Sequence, residues 1–513
     1  MVSKHPPAKP LLAPKRIWLI GVLLLLFGLG LAIRVYDLTD LPLDFHPTRQ
    51  LFSALKARGM YYQTLTDTPQ WQQQMAIQQW KTRVTVEPEV LERLAAFTYR
   101  FTGEQLWVAR LYSSLFWLIG GVFLFLLARS WVSTDGALVT TAVYLFLPYG
   151  IIASRSFQPD PLMVMLILAF WWAVLHWVQR SSWAWTIAAG LLGGMAIYIK
   201  LPAAFFVVGG ALGGLLGCYS LRESMRKPQV WALILLGALP GLLYVVYGVW
   251  ISGFLGQQFG GRFITKLLIS PIFYLQWAGK IDQVVGPLLF ALGVLGVFFF
   301  SNRSVRTFAI GIWGAYFIYG LCFDYHISSH DYYSLPLIPI VAISLAPLAE
   351  LILGRLRDVT ASSRWLRLTA VVVLLYVPIV TLWGVRSQMK AVDYRPQADF
   401  WEHIGDLLGH QSPVVALTQD YGLSLDYWGW TTSTDWPTSG DIQYHTQIRN
   451  GKYSFEADFN SLTKAKSFFL ITNLEDLERQ PKLKQRLYAD YPVFAQGAGY
   501  LIFDLQHPLS SNY

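Results

Sequence analysis

The sequence predicts an all-α polytopic membrane protein of about eleven transmembrane helices, followed by a small C-terminal extracytoplasmic α/β domain. Three observations predict it. Hydrophobic residues make up 54% of the chain and charged ones only 14%, with a mean hydropathy of +0.40. That balance is too apolar for a soluble enzyme. Apolar runs of about 20 residues, the length a helix needs to cross a hydrocarbon core roughly 30 Å thick, recur through most of the chain. Beyond Lys390 charged and polar residues return, and no later run is long enough to span.

Residues 1–16 form a basic leader with Lys4, Lys9, Lys15 and Arg16, and the run Ile17 to Ile33 follows it. Arg34 to Asp37 come next instead of a small-residue cleavage site, so an uncleaved first span is expected. Further spans are expected near 106–128, 136–153, 161–179, 183–199, 201–217, 229–250, 284–300, 307–323, 333–353 and 367–385, making residues 17–385 the transmembrane domain. Alternate connections carry Arg129, Arg180, Arg222, Arg226, Lys227, Arg303, Arg306, Arg355, Arg357, Arg364 and Arg367. This bias places them, and the N-terminus, in the cytoplasm. The net charge of +9 is therefore topology and not a nucleic-acid footprint. Asp44, Glu87, Glu89, Asp160, Asp282, Asp324 and Asp331 fall on the other connections, outside. An odd number of spans sends the C-terminus outside too. Cys218 and Cys322 would lie near opposite faces, which excludes a disulfide between them.

Residues 87–103 place Val90, Leu94, Phe97 and Phe101 on one stripe, suiting a helix that lies in the membrane interface. Residues 47–64 and 262–280 have a similar mixture, and short amphipathic helices roofing a cavity are expected. In the domain 386–513, 397–410 and the stretch from Leu474 read as helix, and 413–419, 468–473, 492–496 and 499–505 as strand. Tyr427, Trp428, Trp430 and Trp436 suit either stacking on sugar rings or packing inside the small domain.

Carboxylates at membrane depth are costly, about 2.5–3.5 kcal/mol each on insertion scales, and so mark candidate sites. Asp44 lies just beyond the first span among His46, Thr48, Arg49, Gln50, Lys56 and Arg58. Asp160 stands before Pro161 on a short turn, which suits both a helix N-cap and a functional acid. Lys200 is one cation between two uncharged spans; a snorkelling anchor is the alternative to a site residue. Arg262 and Lys266 suit either substrate phosphate or anionic lipid headgroups. His326 and His330, flanked by Asp324 and Asp331, have the spacing of a helical metal pair, or of groups that hydrogen-bond a phosphate or acceptor.

The ordered series Asp44, Glu87-Pro88, Gly103-Glu104, Arg110, Asp160, Lys200 and His330 to Pro336 resembles the polyprenyl-phosphate-sugar glycosyltransferases of the GT-C fold. Protein O-mannosyltransferases and the bacterial lipid A aminoarabinose transferases belong to that family. The resemblance covers residues 15–350. It implies a polyprenyl-phosphate-linked monosaccharide donor, a protein, lipid or glycan acceptor, an outward-facing site in a bacterial inner membrane, and inversion at the sugar carbon. Asp44 would be the general base, with Asp160 supporting it. His46, Arg49, Arg58, Glu87, Arg110, Lys200, Arg262, His330 and Tyr332 would bind substrate. Phe45 stands where the family often has a second acid, which leaves a divalent metal open. A lipid or sugar transporter is the main rival, and would bury charges mid-span on broken helices; a non-catalytic assembly subunit is the other.

Overall fold

In the computed structural model residues 11–12, 15–256, 263–360, 363–410, 412–449 and 451–509 are described. The chain divides into two units. The first comprises the described residues of Met1–Leu38, Thr85–Leu91 and Ala109–Val392; the second, those of Thr39–Val84, Glu92–Val108 and Asp393–Tyr513.

The first unit is a helical bundle. Among the described residues seven helices are long and apolar enough to cross a bilayer: Arg16–Val35, Trp107–Arg129, Asp160–Arg180, Pro228–Ile251, Arg303–Cys322, Asp331–Thr360 and Arg364–Lys390. Trp183–Ile199 and Ala203–Cys218 are shorter apolar helices. Each run read as a span is helical, with breaks in the runs near 136–153, 284–300 and 333–353, the last dividing into Leu337–Ser344 and Ala346–Thr360. Residues 136–153 divide into Thr134–Phe146 and Pro148–Ala153, because Pro148 has no N–H to continue the ladder. The run near 284–300 becomes Pro287–Val297, bent by 90° from Pro271–Val285. Gly286 makes that corner at φ +76°, a conformation open to glycine.

Asp160–Arg180 is the innermost span, with 83% of its apolar window buried. Ala203–Cys218 approaches Arg303–Cys322 through glycines four apart. A Cβ at Gly209 would come within 2.5 Å of the Ala315 Cβ, and one at Gly213 or Gly217 within 2.8 Å of the Cα of Phe308 or Ser304. In lipid, where apolar surface gains little from burial, such close backbone approach holds helices together. At the end of the first helix the buried Arg34 guanidinium donates to Gly30 O (2.8 Å), Ser154 Oγ (2.7 Å) and Leu145 O (3.0 Å), tying three segments.

The second unit is α/β. Its strands are β1 (Val414–Leu417), β2 (Ser433–Asp435), β3 (Phe468–Ile471), β4 (Val493–Gly497) and β5 (Tyr500–Asp504). They form one sheet in the order β2-β1-β3-β5-β4, parallel from β2 to β3 and antiparallel beyond. Val415, Leu417, Phe469, Ile471, Leu501 and Phe503 pack with Leu483 and Leu487 of the Pro481–Asp490 helix. Trp436 lies in this core, 1% exposed, with its indole N–H on Gln480 Oε1 at 2.8 Å. Tyr427 and Trp428 are buried as well, so these three rings pack the domain. The helices Pro47–Tyr62 and Gln70–Thr82 belong to the same unit. The amphipathic stripe expected over 87–103 forms the helix Val90–Thr102, with Phe97 and Phe101 exposed.

Candidate active site

In the first unit the innermost span carries an ion pair at its start. Asp160 opens the helix, Pro161 follows, and the N-cap is Pro159. The Asp160 carboxylate therefore does not cap; it accepts from Lys200 Nζ through both oxygens, at 2.8 and 3.0 Å. Lys200 is placed by the break after Trp183–Ile199: it is the extended C-cap residue (φ −156°), and Pro202 precedes the next helix. It is 5% exposed and Asp160 2%, so Lys200 does not snorkel to a surface. Glu87 Oε1 is 4.0 Å from Nζ, outside hydrogen-bonding range. Among the described residues Asp160 is the side chain that Lys200 Nζ hydrogen-bonds.

Aromatic groups surround the pair. Nζ is 5.2 Å from the Tyr332 ring centre and 5.1 Å from that of Tyr333, distances at which a cation is held by ring quadrupoles. Tyr333 also stacks on Tyr319, centroids 6.4 Å apart. Tyr149 lies within electrostatic reach of Asp331, Asp160 and Tyr332. The His326 and His330 rings stack at 6.0 Å, and His330 Nδ1 is 2.7 Å from Ser329 Oγ. Among the described residues no three His, Cys, Asp or Glu side chains converge as a metal site. Arg110 is fully buried and donates to the carbonyls of Arg155 (3.3 Å) and Leu38 (3.4 Å).

In the second unit Asp44, His46 and Arg49 are half-buried at the start of the Pro47–Tyr62 helix, where His46 turns the chain at φ +45°. Burial, then the nearby Asp44 and Asp40 carboxylates, push the Tyr394 phenol up. Arg58 is buried on the same helix. Its Nε donates to Glu104 at 2.8 Å, and its guanidinium lies 3.6 Å from the Tyr427 ring centre and 4.3 Å from that of Trp430. Burial, the largest single influence, lowers its pKa, but Glu104 together with Tyr427 and Tyr62 holds it above the ordinary value. Tyr427 adds a hydroxyl hydrogen bond to Glu104. Arg262 lies outside the described residues.

The sequence reading missed two groups. Tyr149 had only its place after Pro148 to mark it, and Arg83 gave no sign of its 2.6 Å pairing with Asp426.

Residues 87–250 match the family described as dolichyl-phosphate-mannose-protein mannosyltransferase. ArnT from Cupriavidus metallidurans in the apo state superimposes with a TM-score of 0.58 at 15% identity, over 94% of this chain and 98% of that one. The chain has the GT-C fold. ArnT bound to undecaprenyl phosphate gives the same TM-score at 16% identity, over 95% of the GT-C chain and 97% of its own. The apo oligosaccharyltransferase of Archaeoglobus fulgidus matches at 0.57 and 12% identity, over 97% and 75%. No curated protein matches the GT-C chain in sequence. It is a multi-pass integral membrane protein.

Proposed function

We propose that this GT-C protein transfers a monosaccharide from a polyprenyl phosphate to a hydroxyl acceptor outside the membrane, with inversion. The observation that carries the reading is the buried Lys200 ammonium, fixed by both Asp160 oxygens with the Tyr332 and Tyr333 rings beside it. The family match over 87–250, which includes Glu87, Asp160 and Lys200, supports it, as does the structure of ArnT with undecaprenyl phosphate.

In the reaction the acceptor oxygen attacks the anomeric carbon as its proton passes to Asp44. The bond from that carbon to the phosphate oxygen breaks, and its electron pair stays on the departing phosphate. Lys200 holds that phosphate as its charge grows, where a preorganised donor in a water-poor site is worth most. Asp160 positions Lys200; Tyr332, His330 and Glu87 complete the donor site. His46 and Arg49 flank Asp44 in the chain, Arg58 holds Glu104, and Arg110 ties the carbonyls of Arg155 and Leu38. A positioned base contributes about 10²–10⁴-fold, so most of the acceleration comes from phosphate stabilisation and alignment. The basic-residue bias supports a cytoplasmic N-terminus and an extracytoplasmic C-terminal domain over 386–513, and the likeness to ArnT from Cupriavidus metallidurans supports a bacterial inner membrane.

The test separates the two roles. Asp44→Asn lowers kcat with donor KM near wild type, whereas Lys200→Met raises donor KM and lowers kcat. Wild-type turnover in Asp44→Asn removes the base assignment.

A further inference from the structure

A cavity lined by residues of the α/β unit lies beside Trp430, the ring on which Arg58 stacks. It encloses about 790 Å³, inside the range of small-molecule sites. One wall is the Gln70–Thr82 helix, presenting Gln70, Gln74 and Gln78; Trp71, His410 and Lys466 complete the lining used here. Four residues of helix rise about 6 Å, so the three amides form a ladder at regular spacing. All three are exposed, and their side chains have no hydrogen-bond partner among the described residues.

The indole is held rigidly. Trp71 stacks on His410 at 5.3 Å and meets Trp430 edge-on at 6.0 Å. His410 is itself fixed, with Nδ1 2.9 Å from Gly429 O and Nε2 3.1 Å from Asp406. Lys466 is half-buried and donates to Thr434 Oγ1 at 2.6 Å. Among the described residues no carboxylate lines the cavity, and Lys466 gives it a positive charge.

A sugar ring offers an apolar C–H face and hydroxyls that both donate and accept. A fixed indole beside unpartnered amides, each both donor and acceptor, complements that combination. We propose that this groove binds an oligosaccharide carrying an acidic sugar, its rings on Trp71, its hydroxyls on the glutamine ladder and its acid on Lys466. None of these lining residues is assigned a step in the transfer.

Equilibrium binding to the full chain in lipid nanodiscs tests it, using oligogalacturonate, uncharged maltotetraose and a tetraglutamate peptide. Oligogalacturonate should bind saturably and more tightly than maltotetraose, and tetraglutamate should not bind. Trp71→Ala should weaken binding about tenfold, the order of one aromatic platform. Because Trp71 is packed, the exposed pair Gln74→Ala/Gln78→Ala serves as the second variant. It should lose affinity while thermal stability and donor hydrolysis stay at wild-type values. Lys466→Gln should bring the acidic ligand down to the neutral one. Saturable binding of the peptide in place of the saccharides, or wild-type saccharide affinity in the glutamine variant, would overturn the proposal.

Discussion

Removing the charge of Lys200 should cost more in stability than in any surface position, and a second substitution should return most of that loss without returning activity. Lys200 and Asp160 are 5% and 2% exposed and joined by two short hydrogen bonds. Lys200→Met leaves a carboxylate in a nearly dry bundle with Glu87 as its neighbour. Breaking a buried pair from one side costs about 3–5 kcal/mol, most of it the uncompensated charge. Asp160→Asn in the same chain replaces that charge with a neutral amide of the same shape, so the double variant should recover most of the loss. Thermal unfolding in detergent, followed for wild type, both single variants and the double, gives the coupling between the sites. Sugar transfer measured on the same preparations should be lost in Lys200→Met and remain lost in the double variant. If Lys200→Met unfolds like wild type, or the double variant transfers sugar at the wild-type rate, the pair is neither buried as described nor needed for the donor.

Three further outcomes follow from the packing and electrostatics. Gly213→Leu should disrupt the bundle, because even a Cβ there meets the Phe308 backbone at 2.8 Å; Gly213→Ala should cost about 1–3 kcal/mol, read as lowered thermal stability in detergent. Arg58→Lys should lower thermal stability less than Arg58→Ala, since lysine keeps the charge for Glu104 but loses the planar stacking between Tyr427 and Trp430. Burial raises the Asp426 carboxyl to about 6 despite Arg83. A carboxyl raised in the folded state binds more protons there than when unfolded. Asp435, raised to about 7 by burial and by Asp426, acts in the same direction, so stability of the α/β unit should fall as pH rises from about 4 to about 7 and stay lower above. Amide hydrogen exchange in the segment Leu423–Trp428 should quicken over that window in wild type, and Asp426→Asn should shrink the response.

Much of the first unit was legible because lipid imposes its own grammar. Apolar length marked the helices, and an isolated cation between two uncharged runs marked Lys200. Asp160 was legible as a special acid, yet its partner was not: an Asp-Pro pair signals a helix start, but the side chain turns to a lysine 40 residues on. The break at Gly286-Pro287 was hidden inside one apolar run, although a glycine before a proline was the available signal. Arg58 read as a basic group open to substrate because Glu104 lies 46 residues away in sequence. Arg83 and Asp426, separated by 343 residues, show the same limit more sharply. Periodicity and charge bias are local properties; ion pairs that close across a fold leave no local trace. The rings of Tyr427, Trp428 and Trp436 read as core more readily than as a sugar platform, and their burial agrees.

The most direct test is donor turnover by the purified wild-type protein in lipid, offered a panel of polyprenyl-phosphate monosaccharides labelled in the sugar. Transfer, or slower hydrolysis, of one donor with release of the polyprenyl phosphate, and its loss in Lys200→Met, is the predicted result. Labelled donor that is bound or carried across the bilayer with its sugar–phosphate bond intact would contradict it, and would make the protein a transporter.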